Sequence, residues 1–277
     1  MSEHAREVEG VLLVTADDQA AAGDRVAALE AVDRFQLRPR PARRIRDVYI
    51  DTDDGALAGS RVAFRLREQD GRPLLTLKAD VVRSGLASER LELEAPWSAE
   101  ALQAALEELR RRGVELPTPP PEGSGQPRKG APVGQGPGAG EPLADLAGLG
   151  LHPTQTRETT RTPRDVVERD DPGAGPVAEL TLDDVAYQLP AGRARLLEVE
   201  VEAKGPGGME TVQSVLGALA ERFPDDLRPW PYGKLVTGRA VEQLLASGRL
   251  EGLLDGEDRI RPAAHNLLAE FLGENSP

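Results

Sequence analysis

The sequence predicts an α+β fold in which antiparallel strands close into a barrel flanked by helices, and three observations carry that expectation. The first is the run Leu-Leu-Glu-Val-Glu-Val-Glu-Ala-Lys at residues 196–204, where apolar and acidic side chains alternate without a break. Strand side chains point to opposite faces with period two, so Glu198, Glu200 and Glu202 share one face and Leu197, Val199, Val201 and Ala203 the other. The second is a repeat of the pattern at Glu7-Val8-Glu9, which runs into Gly10-Val11-Leu12-Leu13-Val14. The third is an echo between the halves of the chain: the acidic strand at residues 90–94 leads to an amphipathic Leu102-Gln-Ala-Ala-Leu, as residues 196–204 lead to Val212-Gln-Ser-Val-Leu. Such an echo marks a duplicated unit of β-hairpin plus helix. Two such halves can close into a barrel, which removes exposed strand edges. In a closed barrel, alternating charge means charge inside.

In chain order, residues 7–14 read as a first strand, followed by an Ala-rich helix that starts at Asp17-Asp18 and runs to about Val32. Residues 35–46 are basic and broken by Pro. Residues 47–51 read as a strand ending in the turn Thr52-Asp53-Asp54-Gly55, with a short helical turn at 56–59. Residues 62–68 alternate again, with Arg65 and Arg67 on one face, and the turn Gly71-Arg72-Pro73 makes residues 74–78 their hairpin partner. Residues 88–94 form a further strand with Arg90, Glu92 and Glu94 in phase, and residues 99–112 a helix with an Ala/Leu stripe. From about 117 to 142 the chain is nearly all Pro, Gly and small polar residues, a composition that buries too little to offset its ordering entropy, so a disordered connector is expected there. Strands at 156–167, 176–185 and 195–204 follow, then helices at 208–222 and 240–248 and a terminal helix over 255–277. The expected organisation is one tunnel domain over residues 1–240, interrupted by the connector, and a helical tail over 241–277.

The balance of charge narrows the partners. With 34 basic and 47 acidic residues the net charge is −13, so the mean field repels nucleic acid and anionic membranes, and any polyanion has to enter a local basic pocket. There is no Cys, hence no disulfide framework, thiolate nucleophile or zinc–thiolate site. The first thirty residues lack the pattern of a signal peptide and no apolar run approaches the roughly 18 residues of a membrane span, so a cytoplasmic protein is expected. Lys is scarce, at Lys78, Lys129, Lys204 and Lys234 against thirty Arg. A Lys kept in the apolar strand Leu74-Leu75-Thr76-Leu77-Lys78 points to a need for a compact ammonium.

An interior lined by Glu7, Glu9, Glu198, Glu200 and Glu202 on one side and Arg65, Arg67, Lys78 and Arg90 on another has the parts for phosphoryl transfer. Carboxylate oxygens suit Mg²⁺ or Mn²⁺, which bind through a few carboxylates together with substrate phosphates. Arg forks match phosphate oxygens bidentately. The same Arg/Glu ladders can also be plain pairing between strands. Histidine is not expected to bind metal, because His4, His152 and His265 lie in a tail, beside the connector and in the other tail. Trp97 and Trp230 are expected to be packing anchors.

The order of these motifs resembles the CYTH family of triphosphate tunnel metalloenzymes, which includes thiamine triphosphatases, inorganic triphosphatases and class IV adenylyl cyclases. The likeness covers roughly residues 5–240 apart from the connector. It rests on Glu7-Val8-Glu9, Tyr49-Ile50-Asp51-Thr52, Arg65-Leu66-Arg67, Thr76-Leu77-Lys78, Arg90-Leu91-Glu92-Leu93-Glu94, Glu179-Leu-Thr-Leu-Asp183, the Glu198 triplet, and Lys234 after Pro231-Tyr232-Gly233. The resemblance implies an eight-stranded antiparallel tunnel that hydrolyses a small-molecule triphosphate or inorganic polyphosphate with Mg²⁺ or Mn²⁺. It implies metal ligation by Glu7, Glu9, Glu198 and Glu200, with Glu202 a further candidate and Asp183 as acidic support. It implies phosphate binding by Arg65, Arg67, Lys78, Arg90, Arg161 and Lys234, and catalysis by Lys78, Glu9 and Glu200 around a polarised water. Arg157 and Arg164 compete with Arg161, and only Arg157 is in phase with it. One departure stands out: the family's opening Glu-x-Glu-x-Lys has Val11 in its Lys place. That keeps open a catalytically weak polyphosphate- or nucleotide-binding protein, and a class IV adenylyl cyclase is the third reading. Oligomeric state is not legible.

Overall fold

The computed structural model describes residues 5–116, 141–171, 173, 175–205 and 208–274; the expected connector lies, up to residue 140, outside them. Its strands are β1 (Ala5–Val14), β2 (Ala31–Val32), β3 (Phe35–Pro39), β4 (Arg43–Asp51), β5 (Ala63–Gln69), β6 (Arg72–Ser84), β7 (Ala87–Pro96), β8 (His152–Glu168), β9 (Ala178–Leu189), β10 (Gly192–Ala203) and β11 (Leu227–Pro229). The helices are α1 (Gln19–Ala27), α2 (Ala56–Gly59), α3 (Ala99–Arg111), α4 (Pro142–Gly148), α5 (Gly208–Arg222), α6 (Lys234–Ala246) and α7 (Pro262–Glu274). Hydrogen bonding runs β8-β4-β5-β6-β7-β1-β10-β9 and returns from β9 to β8, so eight antiparallel strands close into a barrel. The hairpin β6–β7 leads to α3 and the hairpin β9–β10 to α5, which is the duplicated unit expected from the sequence. β3 pairs with the far end of β8, β2 with β3, and β11 with β1.

Most of the barrel is layered, with charge inside and apolar packing outside, although β4 turns Arg44 and Arg46 and β8 turns Glu158 and Thr160 outward to solvent. Leu197, Val199 and Val201 of β10 are buried under α1 and α5 in one cluster, while Glu198 and Glu200 between them are buried as well, on the other face. A second cluster joins β4–β7 to α3 and α4 through Phe64, Leu75, Leu77, Leu102 and Leu109. The third lies where the interior turns apolar: Leu13, Tyr187, Ala194 and Leu196, all in phase with the inward carboxylates of their strands, meet Trp230, Val241, Leu244, Leu268 and Leu272. α6 and α7 thus plug one end of the barrel. Burying each large aliphatic side chain contributes roughly 1.5–3 kcal/mol, and these layers offset the cost of holding charges in the interior. Gly10 is required on β1, because a Cβ there would stand 2.4 Å from both Leu86 O and Leu216 Cδ1 of α5.

Several boundaries differ from the sequence reading. The first helix ends at Ala27, not near Val32; its cap Asp18 accepts the Ala21 N–H at 2.9 Å, and Ala31–Val32 instead pairs with Phe35 across Asp33, whose φ is 48°. Burial of Val32 and Phe35 in the first cluster outweighs the helix propensity of the Ala run. Residues 35–39 and 43–46, read as irregular, are strand. α4 and β11 carry no periodic signal of their own. The helix expected from Ala240 starts at Lys234, after the cap residue Gly233. The terminal helix starts only at Pro262: residues 255–259 turn about Asp255, whose Oδ1 accepts the N–H groups of Glu257 and Arg259 at 2.8 and 2.9 Å. Pro at a helix start loses no bond there. No helix among the described residues is long and apolar enough to cross a membrane.

Candidate functional site

Closure of the barrel turns the polar faces of its strands towards one cavity of about 880 Å³. Twelve basic and ten acidic side chains line it, an excess of positive charge inside a chain of net charge −13. The acidic wall comes from β1, β9 and β10. Register places Glu9 opposite Glu202, Val11 opposite Glu200, and Leu13 opposite Glu198. On the other side of β10, Glu198 faces Asp183. Of the residues that the sequence singles out, Glu7, Glu9, Glu200, Glu202, Asp183, Arg65, Arg67, Lys78, Arg90, Arg161 and Lys234 all line the cavity, and so does Val11. Glu198 lies behind them, only 1% exposed. Arg164 is on the outer face, out of phase as expected, and donates to the Ala27 carbonyl at the end of α1.

The walls are joined by ion pairs. Lys78 Nζ lies 2.7 Å from Glu7 Oε2 and 3.0 Å from Glu92 Oε1, and Arg90 bridges Glu7 at 2.7 Å and Glu9 at 2.5 Å. Burial alone would raise the Glu7 carboxyl, but Lys78 and Arg90 together hold it well below the usual range. Glu9 goes the other way: burial lifts it, Arg90 only partly opposes this, and the Glu200 and Glu7 carboxylates add to the rise. Arg161 reaches Asp183 at 2.6 and 2.8 Å and Glu200 at 3.2 Å. Lys234, the first residue of α6, points into the acidic wall, with its ammonium bonded to Glu200, 3.1 Å from Glu198 and 3.4 Å from Asp183. Against the penalty of burial, Lys234 and Arg161 hold the Glu200 carboxyl far down, whereas burial keeps that of Glu198 raised.

A second centre, which sequence reasoning missed, is Asp47 of β4. It is 1% exposed and meets three guanidiniums: Arg157 at 2.7 and 3.0 Å, Arg67 at 2.8 and 3.2 Å, and Arg65 at 3.7 Å. One carboxylate against three guanidiniums leaves a surplus of positive charge, which Glu94, 3.8 Å from Arg65, offsets in part, and Arg157 Nη1 and Arg65 Nε have no hydrogen-bond partner. The Tyr49 ring lies 4.8 Å from Arg157 Cζ and holds that guanidinium by a cation–π contact. The period-two row Arg43, Ile45, Asp47, Tyr49 was the signal for this centre, hidden by the basic, Pro-broken appearance of residues 35–46. In the motif Tyr49-Ile50-Asp51-Thr52, by contrast, Asp51 and Thr52 are structural. Asp51 accepts the N–H groups of Leu57 and Ala58 at 2.9 and 3.2 Å, and Thr52 Oγ1 that of Ala56 at 2.8 Å, so together they cap α2.

None of the described histidines lines the cavity: His152 is at the surface and His265 is buried in α7. Trp97 packs in the second cluster; Trp230 donates to Thr237 Oγ1 at 3.0 Å and also borders the cavity. The chemistry of the acidic donors suits a hard divalent ion, and Glu198, buried with neither oxygen accepting a hydrogen bond of good geometry, is the group most in need of one. As the side chains stand, no group of three acidic or His residues among those described forms a ready metal cage, and the carboxylates of Glu198, Glu200 and Asp183 gather on Lys234 Nζ instead.

Fold and site together define a tunnel protein, a closed antiparallel barrel with its charged groups inside and a helical plug at one end. The chain belongs to the CYTH domain family, whose model matches residues 27–216. Among solved structures, a Hippeastrum protein assigned as an adenylyl cyclase, with a dominant triphosphatase activity, is 17% identical with a TM-score of 0.52, over 85% of this chain and 96% of that one. An assigned adenylate cyclase from Bacillus halodurans is 19% identical with a TM-score of 0.42, over 83% and 95%. The capping-enzyme triphosphatase of Mimivirus is 9% identical with a TM-score of 0.37, over 81% and 92%. No curated protein matches the sequence.

Proposed function

We propose that the protein hydrolyses a triphosphate, inorganic or organic, inside its tunnel with the help of Mg²⁺ or Mn²⁺. The observation that carries this reading is the pair of opposed walls, guanidinium and carboxylate, in one cavity with a surplus of positive charge. Arg65, Arg67, Arg90, Arg157 and Arg161 bind and orient the phosphate chain, since their forks match phosphate oxygens and are held by carboxylates rather than by solvent. Lys78 neutralises charge on the transferred phosphoryl. Glu7, Glu9, Glu198, Glu200 and Glu202, with Asp183, are the ligands for the divalent ion, which when bound polarises a phosphoryl oxygen. Where Glu9 is not taken up by the ion, its carboxylate is suited to take a proton from an attacking water. The barrel wall and the α6–α7 plug restrict bulk water, which strengthens each of these interactions.

The family and the fold shared with a triphosphatase support this reading. The test is release of phosphate from tripolyphosphate, ATP and thiamine triphosphate, with and without Mg²⁺ or Mn²⁺, alongside detection of cyclic AMP. Metal-dependent release from at least one of the three is expected, and cyclic AMP as the product from ATP would replace hydrolysis by cyclisation. A second reading rests on Val11, an apolar residue in the cavity opposite Glu200. Tight binding of tripolyphosphate with no turnover of any substrate would make the protein a polyphosphate- or nucleotide-binding member of the family.

A further inference from the structure

Lys234 stands in an unusual relation to the acidic wall. It is the first residue of α6, so its backbone belongs to the plug, yet its ammonium is bonded to Glu200 and lies within 3.4 Å of both Glu198 and Asp183. These are among the deepest carboxylates of the tunnel, at 7%, 1% and 0% exposure. Three like charges so close repel strongly unless cations lie among them. Arg161 pairs with Asp183 and Glu200, and among the described residues Lys234 is the one cation paired with Glu198, 3.1 Å from its Oε2, at a geometry that leaves both Glu198 oxygens short of a good hydrogen bond. A lysine ammonium is a compact point charge with three donors on a flexible stem, which can withdraw without moving the backbone.

The backbone around it is fixed independently. Arg239 of α6 reaches Asp51 at 3.1 Å, Trp230 donates to Thr237, and Arg83 donates to the Pro231 carbonyl at 2.9 and 3.1 Å. The start of α6 is thus anchored by contacts that do not involve the Lys234 side chain. The unmet oxygens of Glu198 show that one ammonium does not saturate the group.

We infer that Lys234 is a tethered cation competing with a divalent metal ion for Glu198, Glu200 and Asp183, so that metal binding releases its ammonium towards the anion in the tunnel. This rests on the metal reading of the acidic wall given above. It makes loading cooperative. Occupation of the carboxylates by a divalent ion frees a positive charge for a phosphate, and a phosphate that holds Lys234 vacates the carboxylates for the ion, as reciprocity of linked binding requires.

Two measurements on the full chain, stripped of metal and without triphosphate, test the inference. In the first, Lys234 of the unaltered protein is labelled with an amine-acylating reagent and read by mass spectrometry, with Lys129, from the segment outside the described residues, as internal reference. Labelling of Lys234 is expected to rise severalfold on adding saturating Mn²⁺. In the second, Mn²⁺ binding is measured by calorimetry for the unaltered protein and for Lys234→Met. The variant, which has no cation to displace, is expected to bind about tenfold tighter and to gain more in thermal midpoint from Mn²⁺. Unchanged labelling at saturating Mn²⁺ overturns the inference on its own, whether or not the variant folds. Equal or weaker Mn²⁺ binding by a folded Lys234→Met also overturns it while leaving the metal site intact. No Mn²⁺ binding by either protein overturns the metal reading and this inference together.

Discussion

At the level of single residues, Lys78 and Val11 make the sharpest demands. Lys78 is held by Glu7 and Glu92 with its side chain 12% exposed, so its charge is fixed at the junction of the acidic and basic walls. If it neutralises the transferred phosphoryl, Lys78→Ala lowers kcat by about 10² to 10³, the usual loss for one preorganised donor. Lys78→Arg restores only part, because a planar fork does not fit between the two carboxylates as an ammonium does. Steady-state kinetics on the best substrate decides, and full activity in Lys78→Ala would assign the residue to structure alone. For Val11, a Lys in its place would face Glu200 and the cavity. A unit charge about 4 Å from a phosphate gains roughly 4 kcal/mol at an effective dielectric near 20, less the cost of burying the ammonium. Val11→Lys is therefore expected to tighten tripolyphosphate binding by about tenfold, read by calorimetry. If the native ligand has an apolar part near Val11, the same change weakens that ligand.

At the level of elements, the join of β1 to α5 is among the closest approaches. Gly10 lies on the outer face of β1, opposite in phase to Glu9 and Val11, and the methyl of Gly10→Ala would meet the Leu86 carbonyl, which is backbone and cannot swing aside. Overpacking of this kind typically costs about 1–3 kcal/mol. Gly10→Ala is expected to lower the thermal midpoint by several degrees while leaving the inward carboxylates of β1 in register. A midpoint equal to that of the unaltered protein would mean that α5 shifts without cost. The same strand shows why charge and apolar packing coexist: each residue of one face fixes the position of the next on the other.

At the level of the whole molecule, the plugged end holds a titratable group outside the tunnel chemistry. His265 of α7 is 2% exposed and neither ring nitrogen has a hydrogen-bond partner. Burial, with Arg228 nearby, lowers its pKa from the usual 6.5 to about 4. Between those values the unfolded chain takes up a proton that the folded protein refuses, so stability is fully present above about pH 6.5 and is lost as pH falls towards 4. At pH 5 this one group accounts for about 2 kcal/mol, at ~1.4 kcal/mol per pKa unit. In urea unfolding, the stability of the unaltered protein relative to His265→Leu is expected to fall by that amount between pH 7.5 and pH 5. A pH-independent difference would show that the plug admits the imidazolium.

The sequence by itself determined most strands of the barrel and their inward faces, because period two is a local property and each acidic or basic row announces it; β2, β3, β11 and the start of β4, where such a row is missing or hidden, it did not. Glu7 and Glu9, Arg65 and Arg67, and Glu198, Glu200 and Glu202 were all legible in this way, as were the out-of-phase position of Arg164 and the place of Val11. What only the tertiary structure decided is which charge meets which. Asp47 gathers Arg65, Arg67 and Arg157 because closure brings β4, β5 and β8 side by side, and those three arginines are separated by up to 92 residues in the chain. The plug was equally hidden, since α6 and α7 are amphipathic only with respect to the barrel end they cover. Lys234 reaches Glu198 and Glu200 because that plug sets the start of α6 over the acidic wall. Local pattern fixes the face of a strand; pairing across the barrel fixes the site.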